Sequence, residues 1–191
     1  EKAEELFEQG ARRYVVVARQ VERRGLSWGA LPVELRREMD EVIELWKTAA
    51  GLGLDWAQYC LGCIYRDGEG VKKNEVEAVK WFRHAAAQSN AEAQNALGVM
   101  YANGRGVKKD EVEAVKWYRL AAAQNHDNAQ YSLGVMYGQG RGVKTDKVEA
   151  IKWIRLAAAQ NHAGATTALA MLTSETRDAT EGVEGVNHDQ S

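Results

Sequence analysis

Residues 93–98, Ala-Gln-Asn-Ala-Leu-Gly, decide the fold of this 191-residue chain, because close copies of them stand 36 residues away on either side. The copies are Ala-Gln-Tyr-Cys-Leu-Gly at 57–62 and Ala-Gln-Tyr-Ser-Leu-Gly at 129–134. The same step connects Trp81, Trp117 and Trp153 without insertion or deletion. A fixed period of about 20 to 50 residues is typical of a solenoid, whose units bury their apolar faces against their neighbours.

Each unit is predicted to contain two helices. In the first helix of the central unit, Ala93, Leu97 and Tyr101 recur at helical spacing, and Gly104 and Gly106 end the helix by giving the backbone freedom to turn. A glycine inside this helix costs about 1 kcal/mol relative to alanine. It nevertheless recurs in all three units, which predicts a close approach of helices there. These glycines are Gly62, Gly98 and Gly134.

The second helix is predicted to begin with a capping box, in which Asp110 precedes Glu113 by three residues; Asn74 with Glu77, and Asp146 with Glu149, repeat it. A left-handed residue is expected where this helix ends, and the sequence places Ser89, Asn125 and Asn161 there. The predicted buried stripe of the central copy is Ala114, Trp117, Tyr118, Ala121 and Ala122.

These motifs resemble the Sel-1-like repeat, a relative of the tetratricopeptide repeat. The resemblance rests on Ala-x-x-x-Leu-Gly-x-x-Tyr at 93–101, Gly-x-Gly-Val at 104–107 and Ala-x-x-Trp-x-x-x-Ala-Ala at 114–122. It implies an all-α fold, a right-handed α-solenoid of tandem 36-residue helix-turn-helix repeats. It also implies an adaptor or scaffold role, as in bacterial envelope and secreted proteins and in eukaryotic complexes.

Four segments are predicted. Residues 1–54 form an N-terminal helical cap and degenerate first repeat, with helices at 3–24 and 33–50, and residues 55–162 form three full repeats. The link 25–32 departs from the family, because it is longer than its counterparts and lacks Gly-x-Gly-Val. A closing helix is expected at 163–172, and the polar, acidic stretch 173–191 is expected to be a disordered tail.

Charge and hydropathy exclude two classes of partner. A formal net charge of −2 provides no overall attraction to nucleic acid or to an anionic membrane, and no apolar stretch is long enough to span a bilayer. The loop lysines Lys72, Lys73, Lys108, Lys109 and Lys144 are offset by nearby acids and are interpreted as a solvated edge. Because residue 1 is Glu, we expect a fragment or processed chain, periplasmic or secreted if a signal peptide has been removed and cytoplasmic otherwise.

Motifs with catalytic or ligand-binding chemistry are not evident, so we predict no enzyme activity, cofactor or metal. Cys60 and Cys63 form a Cys-x-x-Cys pair, but they lie within a helix, where they are interpreted as small packing residues. Gly104-x-Gly106 follows no strand and precedes no Gly-Lys-Ser/Thr, which excludes a phosphate loop. The four histidines stand singly, without companion ligands: His84, His126, His162 and His188.

A partner is expected on the face of each first helix that lies opposite its apolar stripe. In related solenoids this face lines a concave groove, so we predict that a protein or peptide binds there to a monomeric scaffold or adaptor. Two alternatives stay open: these residues only touch neighbouring units, or the chain is a regulatory or inhibitory subunit that controls a single enzyme or receptor. The predicted groove residues are Tyr59, Cys63, Arg66, Asn95, Val99, Ala102, Tyr131, Val135, Gly138 and Thr167.

Overall fold

The described part of the chain, residues 1–171 of the computed structural model, consists of helices joined by short links and contains no strand. The predicted all-α fold class is therefore confirmed. Leu172 and the predicted tail at 173–191 lie outside the described residues. The helices are α1 (Lys2–Arg23), a 3-10 turn (Trp28–Ala30), α2 (Val33–Gly51), α3 (Asp55–Asp67), α4 (Glu75–Ala87), α5 (Ala91–Asn103), α6 (Glu111–Ala123), α7 (Asp127–Gln139), α8 (Lys147–Ala159) and α9 (163–171).

The chain divides into two compact units, Glu1–Asp110 and Glu111 onward. In the first unit, α1 packs against α2, α2 against α3, α3 against α4, and α4 against α5. In the second unit, α6 packs against α7 and α7 against α8. This order of contacts is that of helix hairpins stacked in sequence. Within residues 1–171, no helix is long and apolar enough to cross a membrane.

The second helix of a repeat begins and ends as its sequence predicts. The side chain of Asn74 accepts a hydrogen bond from the backbone N–H of Glu77 at 3.1 Å, and Asp146 does the same for Glu149 at 3.0 Å. After these helices, Ser89, Asn125 and Asn161 have φ values of 65°, 66° and 64°. A polar side chain thus accepts a hydrogen bond from a free backbone N–H in the first turn of the helix. A residue in the left-handed conformation reverses the chain where the helix ends.

The helix-interior glycines lie where two helices of one repeat meet. A Cβ atom at Gly62 would overlap the ring of Phe82 in α4, and one at Gly134 would lie 2.6 Å from Cγ1 of Ile154 in α8. The absence of a side chain lets a large apolar residue pack directly on the backbone, as predicted. This packing offsets the low helix propensity of glycine.

The repeated tryptophan is only half-buried, which corrects the predicted stripe at Trp117. The residue that follows each tryptophan occupies the core instead, since Phe82, Tyr118 and Ile154 are 0%, 5% and 2% exposed. Trp153 donates its indole N–H to Glu149 at 3.0 Å, whereas the buried indole nitrogens of Trp81 and Trp117 have no hydrogen-bond partner among residues 1–171. The tryptophan therefore covers the edge of the core.

Each first helix contains one buried glutamine that donates a hydrogen bond to the helix before it. The amides of Gln58, Gln94 and Gln130 donate to the carbonyls of Ala50, Ala86 and Ala122 at 3.1, 3.3 and 3.3 Å. The glutamines are at most 8% exposed. Because a buried amide without a partner is costly, each of these bonds fixes the position of its helix.

Each Gly-x-Gly-Val loop packs against the second helix of the preceding repeat, in addition to ending its own first helix. A Cβ atom at Gly106 would overlap the carbonyl of Glu75 at the start of α4, and Arg105 donates to the Glu75 carboxylate at 2.8 Å. In the second unit, Gly142 meets the Glu111 carbonyl in the same way, and Arg141 donates to the Glu111 carboxylate at 2.8 Å. The loop is therefore a junction between repeats.

Candidate interaction faces

Helix α3 carries three of the predicted groove residues on one face, and the structure brings their side chains together. The Tyr59 ring lies 5.9 Å from that of Phe82. Arg66 lies 6.0 Å above the Phe82 ring and is held by Asp67 at 2.6 Å. Burial raises the pKa of Tyr59, so the hydroxyl stays protonated and remains a donor.

Trp56 extends this face, although the sequence analysis did not single it out. Its ring meets Tyr59 edge-on at 5.9 Å, and the side chain is 48% exposed. The signal was present in the sequence, because Trp56 precedes Tyr59 by three residues and Cys63 by seven, a spacing that keeps all three on one helical face. An exposed tryptophan beside a tyrosine is the residue composition of an interaction surface.

The α5 residues contribute less accessible surface than expected. Asn95 and Val99 are half-buried, and Ala102 is only 7% exposed. The Oδ1 atom of Asn95 is buried and has no hydrogen-bond partner in the described part of the chain. Of these three residues, only Asn95 and Val99 therefore have an appreciable area that a ligand could touch.

In the second unit, Tyr131, Val135 and Gly138 line a cleft of about 370 Å³ between α7, α8 and α9. Ile154, Ala168 and Met171 complete its apolar walls. Thr167 is exposed but does not line the cleft, and its hydroxyl donates to the Ala163 carbonyl at 3.3 Å. Three of the four residues predicted in this unit thus converge on one cavity.

Two histidines serve as helix N-caps. Nδ1 of His126 accepts from the Ala129 N–H at 3.3 Å, and Nδ1 of His162 accepts from the Ala165 N–H at 3.0 Å. The His162 ring also stacks on Tyr131, with centroids 4.6 Å apart. In the first unit Asn90 fills the same place in its repeat, accepting from the Ala93 N–H at 2.9 Å. The repeated turn position explains both histidines.

The two cysteines are unreactive by the physical chemistry of their surroundings. Both are free and half-buried. Burial raises the pKa of the Cys60 thiol to about 12 and raises that of Cys63 as well. Since the thiolate is the nucleophile, neither residue carries an activated thiol at neutral pH. Among the described residues, no group of three or more His, Cys, Asp and Glu side chains could hold a metal ion.

The Sel1 repeat profile matches residues 57–90, 91–126 and 127–162, more than half of the chain. The chain belongs to the Sel1 repeat family. Sel1 repeats form a non-enzymatic scaffold, and Sel1 repeat proteins bind other proteins. The resemblance stated from the motifs is therefore confirmed.

Solved structures agree with this assignment. A protective antigen of uropathogenic Escherichia coli with an SLR fold is 34% identical with a TM-score of 0.70, and the match covers 83% of this chain and 36% of the antigen. A Sel1 repeat protein from Oxalobacter formigenes is 42% identical with a TM-score of 0.61, covering 70% of this chain and 97% of its own.

A third structure shows the shared fold alone. Cysteine rich protein B from Helicobacter pylori is 22% identical with a TM-score of 0.57, and the match covers 70% of this chain and 96% of that protein. The chain thus spans about a third of the length of the E. coli antigen and nearly all of the other two Sel1-type structures. The search of curated proteins returned no match.

Proposed function

We propose that this Sel1 repeat protein is a scaffold or adaptor that holds a peptide or protein segment against its first-helix faces. The observation that carries the proposal is the α7 cleft, an apolar cavity of about 370 Å³ that includes three predicted groove residues. Binding sites on proteins are commonly apolar concavities that take a large side chain of the partner. The Trp56–Tyr59 face of the first unit is a second contact surface of the same kind.

Two glycines have different effects on the cleft. At Gly134 a side chain would collide with Ile154, so this glycine lets α7 and α8 approach closely. At Gly138 the nearest atom to an added Cβ would be the Ala150 methyl at 3.7 Å, so this exposed position borders open space. Gly138 can therefore be enlarged to fill the cleft without disturbing the helix packing.

The walls of the cleft are organised before any partner arrives. Tyr131 is stacked on His162, and His162 is fixed by its bond to the start of α9. A preformed site loses less conformational entropy on binding, which favours affinity.

Peptides selected on the protein from a display library test the proposal. Gly138→Trp should abolish their binding by filling the cleft, whereas Gly138→Ala should retain it and stabilise α7 by about 0.5 to 1 kcal/mol through helix propensity. Peptides that bind Gly138→Trp as tightly as the wild type would reject the cleft. Tyr59→Ala provides the equivalent test of the first-unit face.

Further measurements separate the proposal from its alternatives. A scaffold without catalytic function should give no turnover on a broad hydrolase panel. A pull-down that returns one dominant partner, whose own activity changes on binding, would instead support a regulatory or inhibitory subunit. Light scattering should give the mass of a monomer.

A further inference from the structure

A cavity of about 820 Å³ lies in the first unit, on a surface separate from the first-helix faces. One wall is the link before α2, with Trp28 and Leu31, and the other is the loop after α3, with Val71 and Lys72. The link is the segment that departs from the family pattern. One wall of the cavity therefore comes from a segment that the repeats do not specify, and the other from the Gly-x-Gly-Val loop of the first full repeat.

Contacts behind the cavity hold both walls in place. The Trp28 ring lies parallel to that of Tyr14, with centroids 6.0 Å apart and planes 5° apart. The Tyr14 hydroxyl donates to Glu69 at 2.7 Å, and so connects α1 to the loop. Leu31 is only 5% exposed, so the wall to which it belongs is packed and apolar at that point. The shape of the cavity is thus set by the folded unit itself.

The charged groups at the rim are unevenly paired. The Asp67 carboxylate is engaged by Arg66 at 2.6 and 2.9 Å, and Lys73 is paired with Glu75 at 3.1 Å. Within residues 1–171, the Arg36 side chain, on the α2 side, donates only to the Leu31 carbonyl at 3.3 Å. Across the described residues, no carboxylate lies within ion-pair distance of Arg36 or of Lys72.

We propose that this cavity binds an acidic peptide segment in which one large apolar side chain is flanked by carboxylates. The apolar side chain packs among Trp28, Leu31 and Val71, and the carboxylates pair with Arg36 and Lys72. Cations on the two opposite walls with apolar surface between them match a ligand whose pattern is acid, apolar, acid. Electrostatic complementarity of this kind sets specificity and speeds association.

The probe is the blocked pentapeptide Ac-Glu-Glu-Leu-Glu-Glu-NH2, titrated into the isotope-labelled full chain and followed by NMR. We expect saturable shifts at the Trp28 indole and at the amides of Gly70 and Val71. Replacing the four Glu by Gln, or the Leu by Gly, should each weaken binding at least tenfold. Binding should also weaken as salt is raised, because the ion pairs at the rim are exposed.

Matched charge reversals locate the site. Arg36→Glu with Lys72→Glu should weaken the pentapeptide at least tenfold, whereas Lys108→Glu, at the equivalent loop position of the next repeat, should change it less than twofold. Lys72→Glu alone serves as a second variant if the double variant unfolds. The proposal is overturned by the absence of saturable shifts at millimolar peptide, or by equal losses at Lys72 and Lys108.

The two proposals can fail separately. Library peptides that need the α7 cleft should be insensitive to Lys72→Glu, and the acidic pentapeptide should be insensitive to Gly138→Trp.

Discussion

The junction between two repeats and the junction between the cap and the first repeat use equivalent positions but different interactions. Between repeats, Arg105 pairs with Glu75 and Gly106 packs on the α4 backbone. One 36-residue step earlier, Glu69 stands in place of Arg105, and Met39 in place of Glu75. Glu69 bonds to Tyr14 of α1, and Gly70 packs on Met39. The cap thus replaces an ion pair with an apolar contact and a tyrosine hydrogen bond.

This difference indicates that the loop geometry is the invariant feature and that the chemistry around it is adjustable. In both places a left-handed glycine packs tightly, with φ of 67° at Gly106 and 73° at Gly70. At the cap junction an additional helix, α1, contacts the loop through Tyr14. Its tyrosine supplies the donor that an arginine supplies elsewhere.

The largest expected loss of stability is at Gly106, and it should exceed the loss at Gly70. Gly106→Ala should destabilise the protein by about 3 kcal/mol or more, because its Cβ would collide with the helix backbone as well as adopt a strained φ. Gly70→Ala should cost about 2 kcal/mol, because the added Cβ would lie 2.9 Å from Met39 Cβ, a milder overlap than the one with the Glu75 backbone. Urea denaturation measures both. Gly104→Ala is the control for the strain of the left-handed backbone. Gly104 also has a φ of 67°, but an added Cβ there would lie 3.1 Å from its nearest neighbour, Lys109 Cβ. Equal losses at Gly106 and Gly70 would contradict the comparison.

Tyr14→Phe should cost about 1 kcal/mol, since it removes one half-buried hydrogen bond and keeps the ring that stacks on Trp28. Thermal unfolding of Tyr14→Phe, Glu69→Ala and the double variant measures the coupling between the two residues. Additive losses would show that the bond does not stabilise the cap junction.

Glu75→Gln tests the ion pair of the repeat junction and should cost at most about 1 kcal/mol at neutral pH, because the pair is partly exposed. Arg105 and Lys73 lower the pKa of Glu75 below its ordinary value. The carboxylate therefore adds stability above its unfolded pKa of about 4.3, and this stability is lost as pH falls through the lower folded pKa. The difference between wild type and Glu75→Gln should vanish in acid. A stability difference between wild type and Glu75→Gln that grows as the pH falls would contradict this prediction.

The smallest expected effect is at Lys147, which occupies in α8 the place of Glu75 and Glu111. Lys147 is exposed, and within residues 1–171 it forms no ion pair. Lys147→Glu should stabilise by about 0.3 kcal/mol through the helix dipole alone. A gain above about 1 kcal/mol in chemical denaturation would contradict an effect of the helix dipole alone.

Part of the candidate site could be predicted from the sequence, and part could not. Tyr131, Val135 and Gly138 were predicted on one face, because helical periodicity fixes which residues of α7 lie together. The contributions of Ile154 and Met171 could not be predicted, since they come from other helices, and the approach of α8 depends on Gly134. Trp56 could have been predicted from its spacing. The cavity beside Trp28 could not, because no period constrains the link.

The sequence by itself determined the helices, their ends and the repeat, because capping, glycine conformation and hydrophobic spacing act within a few residues of the chain. Only the tertiary structure decided that Phe82, Tyr118 and Ile154 are the core residues while the adjacent tryptophans cover its edge. It alone also placed Gly106 against Glu75, and Arg36 and Lys72 on opposite walls of one cavity. These outcomes depend on distances between segments far apart in the chain, which local periodicity does not specify.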